Sequence, residues 1–503
     1  MPRPSTPDTE AAFAEELSVV RPGLSAPYAR ALPGARAAVL TRLWRALAYE
    51  PLPWIVRRDT DREGLTLRLA DGRRLRGPLP DPYACTAYVT EVRLDERVYE
   101  RPDALVGALG VPHGGAFSAE LGDSVASLAL SRANRTSEEV PGESEASWAW
   151  EQRIVDGHPY HPNCRARMGF SVAEQLEYGP EHRTSVRLGL VAVDDALVTG
   201  AWPKWLWDGD RVLIPVHPWQ AAHVLDAPVQ EGFAARPLMS LRTLAVPDGP
   251  HVKTALSARL TSSVRDISVY SVRTADTVSA FMEEMTARLD VPLHITRTLG
   301  AATAGSPELA AVVRESPDGY AGEGERCVPV AALALTRLPE KPSWLAEFTR
   351  LVLTAGLRML ELGVALEAHG QNLLVVLDRE GSPVRLVYRD LADIRVSPAR
   401  LARHGVPAPR LSGRIVTDDE TTLRRKLFGS LVGGALGATA GSTAALREAF
   451  ESVAADLPRT GDLPALLGEP LPVKALTSMR LSSGTPGDLW TRLPNPLAGP
   501  GSS

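Results

Sequence analysis

The stretch GHPYHPNCRARMGFS, residues 157–171, concentrates side chains that could take part in chemistry. Two histidines, His158 and His161, are each followed by proline, and Arg165 and Arg167 come shortly after them. Proline removes a backbone donor and favours an extended predecessor, so we expect no regular helix here and no helical zinc site. The histidines could simply hydrogen-bond a turn. With two guanidinium groups beside them, however, they are suited to binding phosphate or carboxylate.

A second group combines cations and hydroxyls with few acids. Its members are Ser240, Arg242, Lys253, Ser257, Thr261, Ser262 and Arg265. Each oxygen of a triphosphate needs a donor, and its summed charge needs neutralising, so this composition indicates a triphosphate-binding surface on a sheet. A solvated strand face is the alternative. The sequence has no GxxxxGK[ST] motif and no GxGxxG after a strand, so side chains would have to build any nucleotide site.

A third group lies at the base of a predicted hairpin. The motif EAHGQN, residues 367–372, precedes the apolar run LLVVL, and a second run, VRLVY, ends just before Arg389 and Asp390. The two runs are joined by a turn with Gly and Pro, which predicts antiparallel strands that bring Asn372 close to Asp390. Mg²⁺ takes one or two protein oxygens and fills its other positions with phosphate and water, as in kinase-like sites. A polar hairpin base is the alternative.

Composition narrows the class of partner. The 503 residues carry a net charge of −5, from 55 basic and 60 acidic side chains mixed along the chain, which argues against nucleic acid and favours a small molecule. The cysteines Cys85, Cys164 and Cys327 are far apart, which argues against disulfides and thiolate zinc and favours the cytoplasm. We find no signal peptide and no apolar stretch of about 18 residues, so neither export nor a membrane span is predicted.

The spacing of apolar and turn-forming residues along the chain predicts an α+β fold. Residues 1–150 combine helical spacing with a hairpin signal. Between 151 and 340, short apolar runs separated by Pro, Gly and Asp predict mixed sheet, including a strand at 266–272. The part from 341 to 503 begins with helical spacing over 343–366, continues with the hairpin, and is helical to about residue 480.

Together and in this order, the motifs resemble those of the IucA/IucC family, the siderophore synthetases that work independently of non-ribosomal peptide synthetases (NIS synthetases). The resemblance rests on GHPYHPNCRARMGFS, IPVHPWQ at 214–220, the stretch from Lys253 to Arg265, EAHGQN, and Arg389-Asp390. It covers roughly residues 80 to 480. It implies a cupped-hand α+β architecture, usually a homodimer, with mixed and antiparallel sheets and a helical C-terminal part. Its thumb, fingers and palm regions would be residues 1–150, 151–340 and 341–503.

The resemblance also implies an activity. The family adenylates a carboxylate of citrate or a related polycarboxylic acid with ATP and Mg²⁺, then condenses it with an amine, hydroxylamine or alcohol, releasing AMP and pyrophosphate. The implied catalytic residues are Arg265, His161 and Lys253. The implied ATP contacts are His158, His161, Arg165, Ser240, Arg242, Lys253, Thr261, Ser262, Arg265, Glu367, Gln371 and Asn372. The implied substrate contacts are Thr261, Arg265 and His369, and the implied metal ligands are Asn372 and Asp390.

Two departures from the family pattern bear on the acyl substrate. The family more often has Lys in place of Arg165, and Thr-Ser-Ala in place of residues 261–263. A guanidinium presents a planar fork rather than a point charge, so the oxygens it binds are arranged differently. Two other functions stay open at this stage: a kinase-like phosphoryl-transfer enzyme, which would make ADP, and a non-catalytic polycarboxylate-binding module, which would consume no ATP.

Overall fold

The computed structural model describes residues 8–135, 146–261, 263–482 and 487–497. The N-terminal part packs helices against a five-stranded antiparallel sheet whose strands follow chain order. Its elements are α1 (Thr9–Val20), α2 (Ser25–Tyr49), β1 (Ile55–Asp61), β2 (Gly64–Leu69), β3 (Arg74–Gly77), β4 (Val92–Leu94), β5 (Arg97–Tyr99), α3 (Pro102–Leu109), α4 (Gly114–Ala133) and α5 (Ser147–Glu151). Trp44, Phe117 and Leu128 are among the side chains fully buried between these layers. The predicted helices and hairpin are confirmed here.

The middle part is built on a nine-stranded antiparallel sheet of order β8-β17-β18-β13-β12-β11-β7-β10-β9. Its elements, with a small β15-β14-β6 sheet, are β6 (Arg167–Met168), α6 (Val172–Tyr178), β7 (Val186–Val193), β8 (Leu197–Gly200), β9 (Trp207–Asp208), β10 (Arg211–Val216), α7 (Pro218–His223), β11 (Gln230–Pro237), β12 (Thr243–Ala245), β13 (His251–Thr254), β14 (Leu256–Leu260), β15 (Ser263–Arg265), α8 (Val269–Ala287), β16 (Leu293–Ile295), β17 (Thr298–Thr303), β18 (Ala310–Arg314) and β19 (Arg326–Pro329).

The two faces of this sheet differ in chemistry. Leu244, Val252 and Val313, neighbours across three adjacent strands, belong to one buried apolar cluster. Because side chains alternate along a strand, the positions next to them face the other way. Those positions include Lys253 and Arg314, so the second face is polar, and it is the face that meets the C-terminal part of the protein.

The prediction of a strand at residues 266–272 is wrong. Residues 266–268 are loop, and α8 begins at Val269, where the Ser268 hydroxyl caps it by accepting a hydrogen bond from Ser271 N at 3.1 Å. The cap, followed by buried apolar residues at helical spacing such as Val278 and Met282, determines the helix. A short apolar run alone does not distinguish the start of a helix from a strand.

The C-terminal part combines helices with a mixed sheet of order β16-β22-β21-β19, in which only β16 and β22 are parallel. Its elements are α9 (Pro342–Leu362), β20 (Val364–Ala365), β21 (Leu373–Leu377), β22 (Pro383–Tyr388), β23 (Arg395–Val396), α10 (Pro398–Arg403), α11 (Glu420–Leu427), a π-helix (Phe428–Leu436), α12 (Gly437–Ala440), α13 (Thr443–Val453), α14 (Leu463–Gly468), β24 (Leu471–Lys474), α15 (Leu476–Leu481) and β25 (Trp490–Leu493). The predicted hairpin, β21 with β22, is confirmed. The α+β class, with mixed and antiparallel sheets and a largely helical C-terminal part, is confirmed as well. Because β16 and β19 pair with this hairpin, the sheet joins residues from both sides of the predicted boundary at residue 341.

The π-helix depends on glycines for its close packing against β24. A Cβ added at Gly433 would overlap Val473 Cγ1, whereas a Cβ at the next residue, Gly434, would meet nothing nearer than 3.5 Å. Most residues of this run are buried. Among the residues that the structure describes, no helix is long and apolar enough to cross a bilayer.

This neighbouring pair of glycines provides a matched stability test. We expect Gly433→Ala to lower the free energy of unfolding by about 1–3 kcal/mol, because the added methyl overpacks a full contact. Gly434→Ala should be neutral or stabilising by up to about 1 kcal/mol, since alanine is the better helix former and the space is free. Urea unfolding of both variants measures the difference. Equal effects would contradict this account of the packing.

Candidate functional site

The site forms where the polar face of the nine-stranded sheet meets the end of the β21–β22 hairpin. Lys253 of β13 donates to both carboxylate oxygens of Asp390, at 2.6 and 2.7 Å. Burial lowers the pKa of Lys253 to about 8, against the raising effect of Asp390. Burial acts to raise the pKa of Asp390, but Lys253, Arg314 and Arg242 together hold it below its ordinary range. The Asp390 side chain is still 32% exposed, so a ligand can reach it.

Two predicted arginines flank this ion pair. Arg242 lies before β12 and donates to the carbonyl oxygens of Arg265 and Asp266, the latter at 3.1 Å. Burial lowers the pKa of Arg242 to about 10, and burial also lowers the pKa of Arg265, while Asp390 acts to raise both. The structure therefore brings Arg242, Lys253 and Arg265 around a single carboxylate. Ser240 supports the same turn, because its hydroxyl accepts from Thr243 N at 3.2 Å.

Three non-glycine residues with left-handed backbone lie in this region. The φ values are +62° for Leu241, +58° for Thr261 and +70° for Asp390. A positive φ is rare outside Gly, Asn and Asp and is a clear outlier for a β-branched residue, with a cost on the order of 1–3 kcal/mol. At Thr261 the backbone is held by its N–H donating to Ala166 O at 3.1 Å and by its carbonyl accepting from Asn163 Nδ2 at 3.4 Å. Ser262, predicted beside it, lies outside the described residues.

The His-Pro motifs form a shared type of turn. In each, the ring Nδ1 accepts a hydrogen bond from the backbone N–H two residues later, at 3.2 Å for His158, 3.0 Å for His161 and 3.1 Å for His217. This leaves the proton on Nε2. The Nε2 atoms of His161 and His217 are buried and have no partner among the described residues. Burial lowers the pKa of both rings to about 3, so each is a neutral donor at pH 7.

His161 lies among residues that were predicted to bind phosphate. After burial, the charges of Arg480 and Arg265 contribute most to lowering the pKa of His161. His158 lies beside it, with ring centroids 6.1 Å apart in an edge-on arrangement, and is within electrostatic range of His369. The structure thus gathers the opening motif, Arg265 and the hairpin motif in one place. Pro159 and Pro162 exclude a helix, as predicted.

The base of the hairpin holds the candidate metal ligands. The backbone N–H of Arg389 donates to Asn372 O at 2.9 Å, which places Asn372 next to the chain segment that carries Asp390. Asn372 Nδ2 donates to Glu367 O at 3.2 Å, and Oδ1 accepts nothing from the residues that the structure describes, so it is available as a ligand. His369 is partly buried, and its Nδ1 accepts from Gln371 N at 3.3 Å. The histidine is thereby fixed in a turn of the same kind as above.

Several charged residues of the site were not predicted from the sequence. Glu367 accepts from Lys474 Nζ at 2.9 Å and lies 3.1 Å from Lys426 Nζ. Burial acts to raise the pKa of Glu367, but these two lysines lower it to about 2, so it is a carboxylate bound to lysines rather than a free contact. Arg389 forms a buried ion pair with Glu151 at 2.6 Å. These partners are 59 to 238 positions apart, and no local pattern in the sequence signals them.

Arg165 has different partners from those that the sequence predicted. Its guanidinium donates to the carbonyl oxygens of Ile154 and Val155 and lies 3.4 Å from Glu181, and its side chain is 5% exposed. Arg167 forms a closer ion pair with the same carboxylate at 2.8 Å. Glu181, which the sequence gave no reason to single out, therefore neutralises this arginine pair. The guanidinium of Arg165 is therefore already bound by these groups, contrary to the prediction that it contacts phosphate.

The Glu181 ion pairs give a stability prediction. Glu181→Gln should lower the free energy of unfolding by about 3–5 kcal/mol, because it leaves two buried guanidinium groups without a carboxylate. Burial acts to raise the pKa of Glu181, but Arg165 and Arg167 hold it well below its usual range. The stabilisation is therefore complete above the unfolded pKa and lost as the pH falls toward the folded one. Urea unfolding at pH 7 and at pH 3 should show a smaller gap between variant and wild type at pH 3. The exposed Glu177→Gln is the control, and a loss below 1 kcal/mol for Glu181→Gln would contradict the assignment.

A large cavity elsewhere does not coincide with these residues. It has a volume of about 830 Å³ and is lined by residues such as Trp148, Glu283, Arg297 and Tyr320, at the far end of α8. None of the predicted site residues lines it. Three of its carboxylates are already engaged: Glu283 pairs with Arg297, Glu315 accepts from Arg297 and Tyr320, and Asp318 accepts from Ser147. The cavity is therefore separate from the candidate site.

Comparison with known proteins gives two family matches. Residues 146–335 match the IucA / IucC family, and residues 342–485 match the family described as ferric iron reductase FhuF-like transporter. A curated relative, the citryl-spermidine/3,4-dihydroxybenzoyl-citryl-spermidine:spermidine ligase of Bacillus anthracis, is 27% identical over 309 residues. That alignment covers 48% of this chain and 50% of the relative, so the match spans about half the length of the curated relative.

Solved structures match over nearly the whole chain. The petrobactin biosynthesis protein AsbB from Bacillus anthracis aligns with a TM-score of 0.76 and 19% identity, covering 94% of this chain and 98% of that one. ATP-bound aerobactin synthetase IucA from Klebsiella pneumoniae aligns with a TM-score of 0.69 and 19% identity, covering 92% and 99%. At this level of identity the likeness establishes a common fold.

Proposed function

Since residues 146–335 match the IucA / IucC family, we propose that the chain is an ATP-dependent NIS synthetase of siderophore biosynthesis. It would adenylate a carboxylate of citrate or a related polycarboxylic acid and condense it with an amine, hydroxylamine or alcohol. The observation that carries the proposal is the gathering of Arg242, Lys253 and Arg265 around Asp390. Three cations beside one acid suit a triphosphate that arrives with a divalent cation.

The chemistry takes place in two displacements. A carboxylate oxygen of the acid attacks the α-phosphorus, the bond from that phosphorus to the bridging oxygen breaks, and pyrophosphate leaves with the electron pair. The nucleophile then attacks the acyl carbon, and AMP leaves while the nucleophile loses its proton. Arg265 would bridge the carboxylate and the α-phosphate, and neutral His161 would donate Nε2–H to a phosphate oxygen. Donors fixed in a dry site can contribute several kcal/mol to such a step.

The hairpin base fits Mg²⁺. Asp390 offers a carboxylate and Asn372 a free amide oxygen, and oxygen ligands of this kind, few in number, are what Mg²⁺ takes beside phosphate and water. Among the described residues no cluster of three or more His, Cys, Asp or Glu could hold a metal by itself, which agrees with a cation that is shared with a nucleotide. Bound there, Mg²⁺ would supply charge neutralisation for the triphosphate.

The acyl substrate would lie between the opening motif and the hairpin. Thr261, Arg265 and His369 are the proposed contacts, and Gln371 is proposed to face the nucleotide. Basic groups on the side of the opening motif and on the side of the hairpin support a substrate with several carboxylates. The name of the Bacillus anthracis relative, a ligase for citryl-spermidine, supports citrate in particular. We also propose a homodimer in the cytoplasm, where three unpaired thiols are stable.

One screen tests this function. The full chain is incubated with ATP and Mg²⁺ and a panel of carboxylates that includes citrate, 2-oxoglutarate and succinate, with and without hydroxylamine as surrogate nucleophile. We expect AMP and pyrophosphate with at least one polycarboxylate, and a hydroxamate when hydroxylamine is present. ADP as the product would instead indicate a kinase-like enzyme. Binding of citrate without any ATP consumption would indicate a binding module.

A further inference from the structure

The large cavity at the far end of α8 has the size and position of a ligand-binding site. Its volume is about 830 Å³, within the range of about 300–1,000 Å³ that is usual for pockets that bind small molecules. Its walls come from the β12–β13 turn, the C-terminal end of α8, strands β16 and β17, the segment after β18 and the start of α5. The cavity therefore lies where the nine-stranded sheet meets the mixed sheet, and a ligand held there would be separate from the nucleotide and the acid.

The walls of this cavity carry more acid than base. Arg297 lies 3.5 Å from Glu283 and also pairs with Glu315 at 2.5 Å, so one guanidinium is shared between two carboxylates. Asp248 and Asp318 add two further carboxylates to the lining. Opposite charges attract across a cavity of low dielectric more strongly than in water. The lining therefore favours a ligand with positive charge.

Two of these carboxylates have no cation beside them. Asp318 accepts from Ser147 N at 2.8 Å and from Ser147 Oγ at 3.1 Å, and burial raises its pKa. The charge that acts on Asp318 is that of another acid, Glu151, which raises its pKa further. Asp248 is exposed at the β12–β13 turn and has no charged partner in the part of the chain that the structure describes. A cation in the cavity would stabilise both carboxylates.

Aromatic rings line the same cavity. They are Trp148, Tyr320 and His294, the last two with ring centroids 5.3 Å apart. Burial lowers the pKa of His294, so this ring adds no positive charge at pH 7. Trp148 already attracts one cation, since Arg236 Cζ lies 5.2 Å from its ring centroid, but Arg236 lines a smaller neighbouring hollow rather than this cavity. The faces of Trp and Tyr attract ammonium groups, so these rings suit an organic cation.

The distribution of the acids favours an organic cation over a metal ion. Among the described residues, no three His, Cys, Asp or Glu side chains are grouped so that they could hold a metal. The acids instead lie on different walls, with Asp248 on a turn, Glu283 on α8 and Asp318 on a short 3-10 helix, Pro317–Tyr320. The walls also contain the aliphatic side chains of Val246, Ile295 and Leu299. Ammonium groups joined by methylene groups match such a lining, because each part of the ligand meets a surface of its own kind.

We infer that this cavity is a second ligand site, which binds an aliphatic diamine or polyamine. The ammonium groups lie against the carboxylates of Asp248, Glu283 and Asp318, and the methylene chain lies along the aromatic and aliphatic walls. The inference goes beyond the proposed function, because binding in the cavity needs neither ATP nor an acid substrate.

The test measures binding of 1,4-diaminobutane to the full chain by calorimetry, without ATP. Butane-1,4-diol has the same length but no charge, and it should not bind. The double variant Asp248→Asn/Glu283→Gln should bind the diamine about 5- to 30-fold more weakly, because it loses two partly exposed ion pairs with the ligand. Glu284→Gln is the matched control and should bind as the wild type does, since Glu284 is the next acid on α8, pairs with Arg288 and does not line the cavity. All three changed side chains are exposed, so we expect each variant to fold.

The outcomes separate the inference from the proposed function. A wild type that binds no diamine, equal affinities for diamine and diol, or an unchanged affinity in the double variant would overturn the inference. An equal loss in Glu284→Gln would also overturn it, because the diamine would then respond to the general charge of the surface. Diamine affinity that falls in Asp390→Asn and not in the double variant would place the amine at the catalytic site instead. Loss confined to the double variant, in a protein that makes no AMP from any carboxylate, would support the inference and contradict the ligase function.

Discussion

Replacing Arg265 with alanine should abolish pyrophosphate release. Arg265 lies on β15, with Asp390, Asp393 and Glu367 within electrostatic range, and close enough to His161 to lower the pKa of that ring. It therefore acts electrostatically on both the opening motif and the hairpin. Removing a single donor that stabilises a transition-state charge typically costs about 10²–10³ in kcat. We therefore expect the rate of pyrophosphate release, with saturating ATP and carboxylate, to fall by at least about 100-fold.

Two further variants make this result specific. Arg265→Lys keeps the charge but loses the planar fork, so a bridge between carboxylate and phosphate should be restored only in part, with a rate between those of wild type and alanine. Arg259→Ala changes an exposed arginine of β14 in the same small sheet and should leave the rate within about twofold of wild type, as surface changes usually do. Near-normal pyrophosphate release in Arg265→Ala would remove Arg265 from the mechanism.

Local patterns in the sequence predicted a large part of this structure. The β21–β22 hairpin followed from two apolar runs and a Gly-Pro turn, and the absence of a helix around His161 followed from two prolines. In both cases the determining interactions are between residues close in sequence, which a pattern can contain. The strand predicted at residues 266–272 was wrong because a single capping serine, Ser268, outweighed a short apolar run.

The partners of charged residues could not be predicted in this way. Glu181 forms ion pairs with both Arg165 and Arg167. Arg314 lies near Lys253 only because β18 and β13 are adjacent strands. An acid that neutralises a cation can come from anywhere in the chain, and a sequence pattern carries no record of that pairing. The roles of the individual site residues accordingly stay predictions, and the geometry favours some of them over others.

Replacing Asp390 with asparagine should have an effect as large as that of Arg265→Ala, but through the metal and Lys253. Asn tolerates left-handed backbone nearly as well as Asp, so the φ of +70° adds no strain to this substitution. The variant loses the carboxylate that would hold Mg²⁺, and a metal ion that neutralises a triphosphate contributes several kcal/mol. We expect kcat/KM for ATP to fall by about 100-fold or more, and the Mg²⁺ concentration that gives half-maximal activity to rise.

The pKa of Lys253 provides a second measurement for Asp390→Asn, the pH dependence of its activity. Asp390 raises the pKa of Lys253 in the native protein, in opposition to burial, which lowers it to about 8. Without that carboxylate the pKa of Lys253 should fall further, so residual activity that needs a charged lysine will decline at a lower pH than in the wild type. Asp393→Asn is the matched control, since this acid is three residues away, is partly exposed and pairs with Arg414. If Asp393→Asn and Asp390→Asn lowered activity equally, the effect would be one of general charge, and Asp390 would lose its proposed role as a ligand.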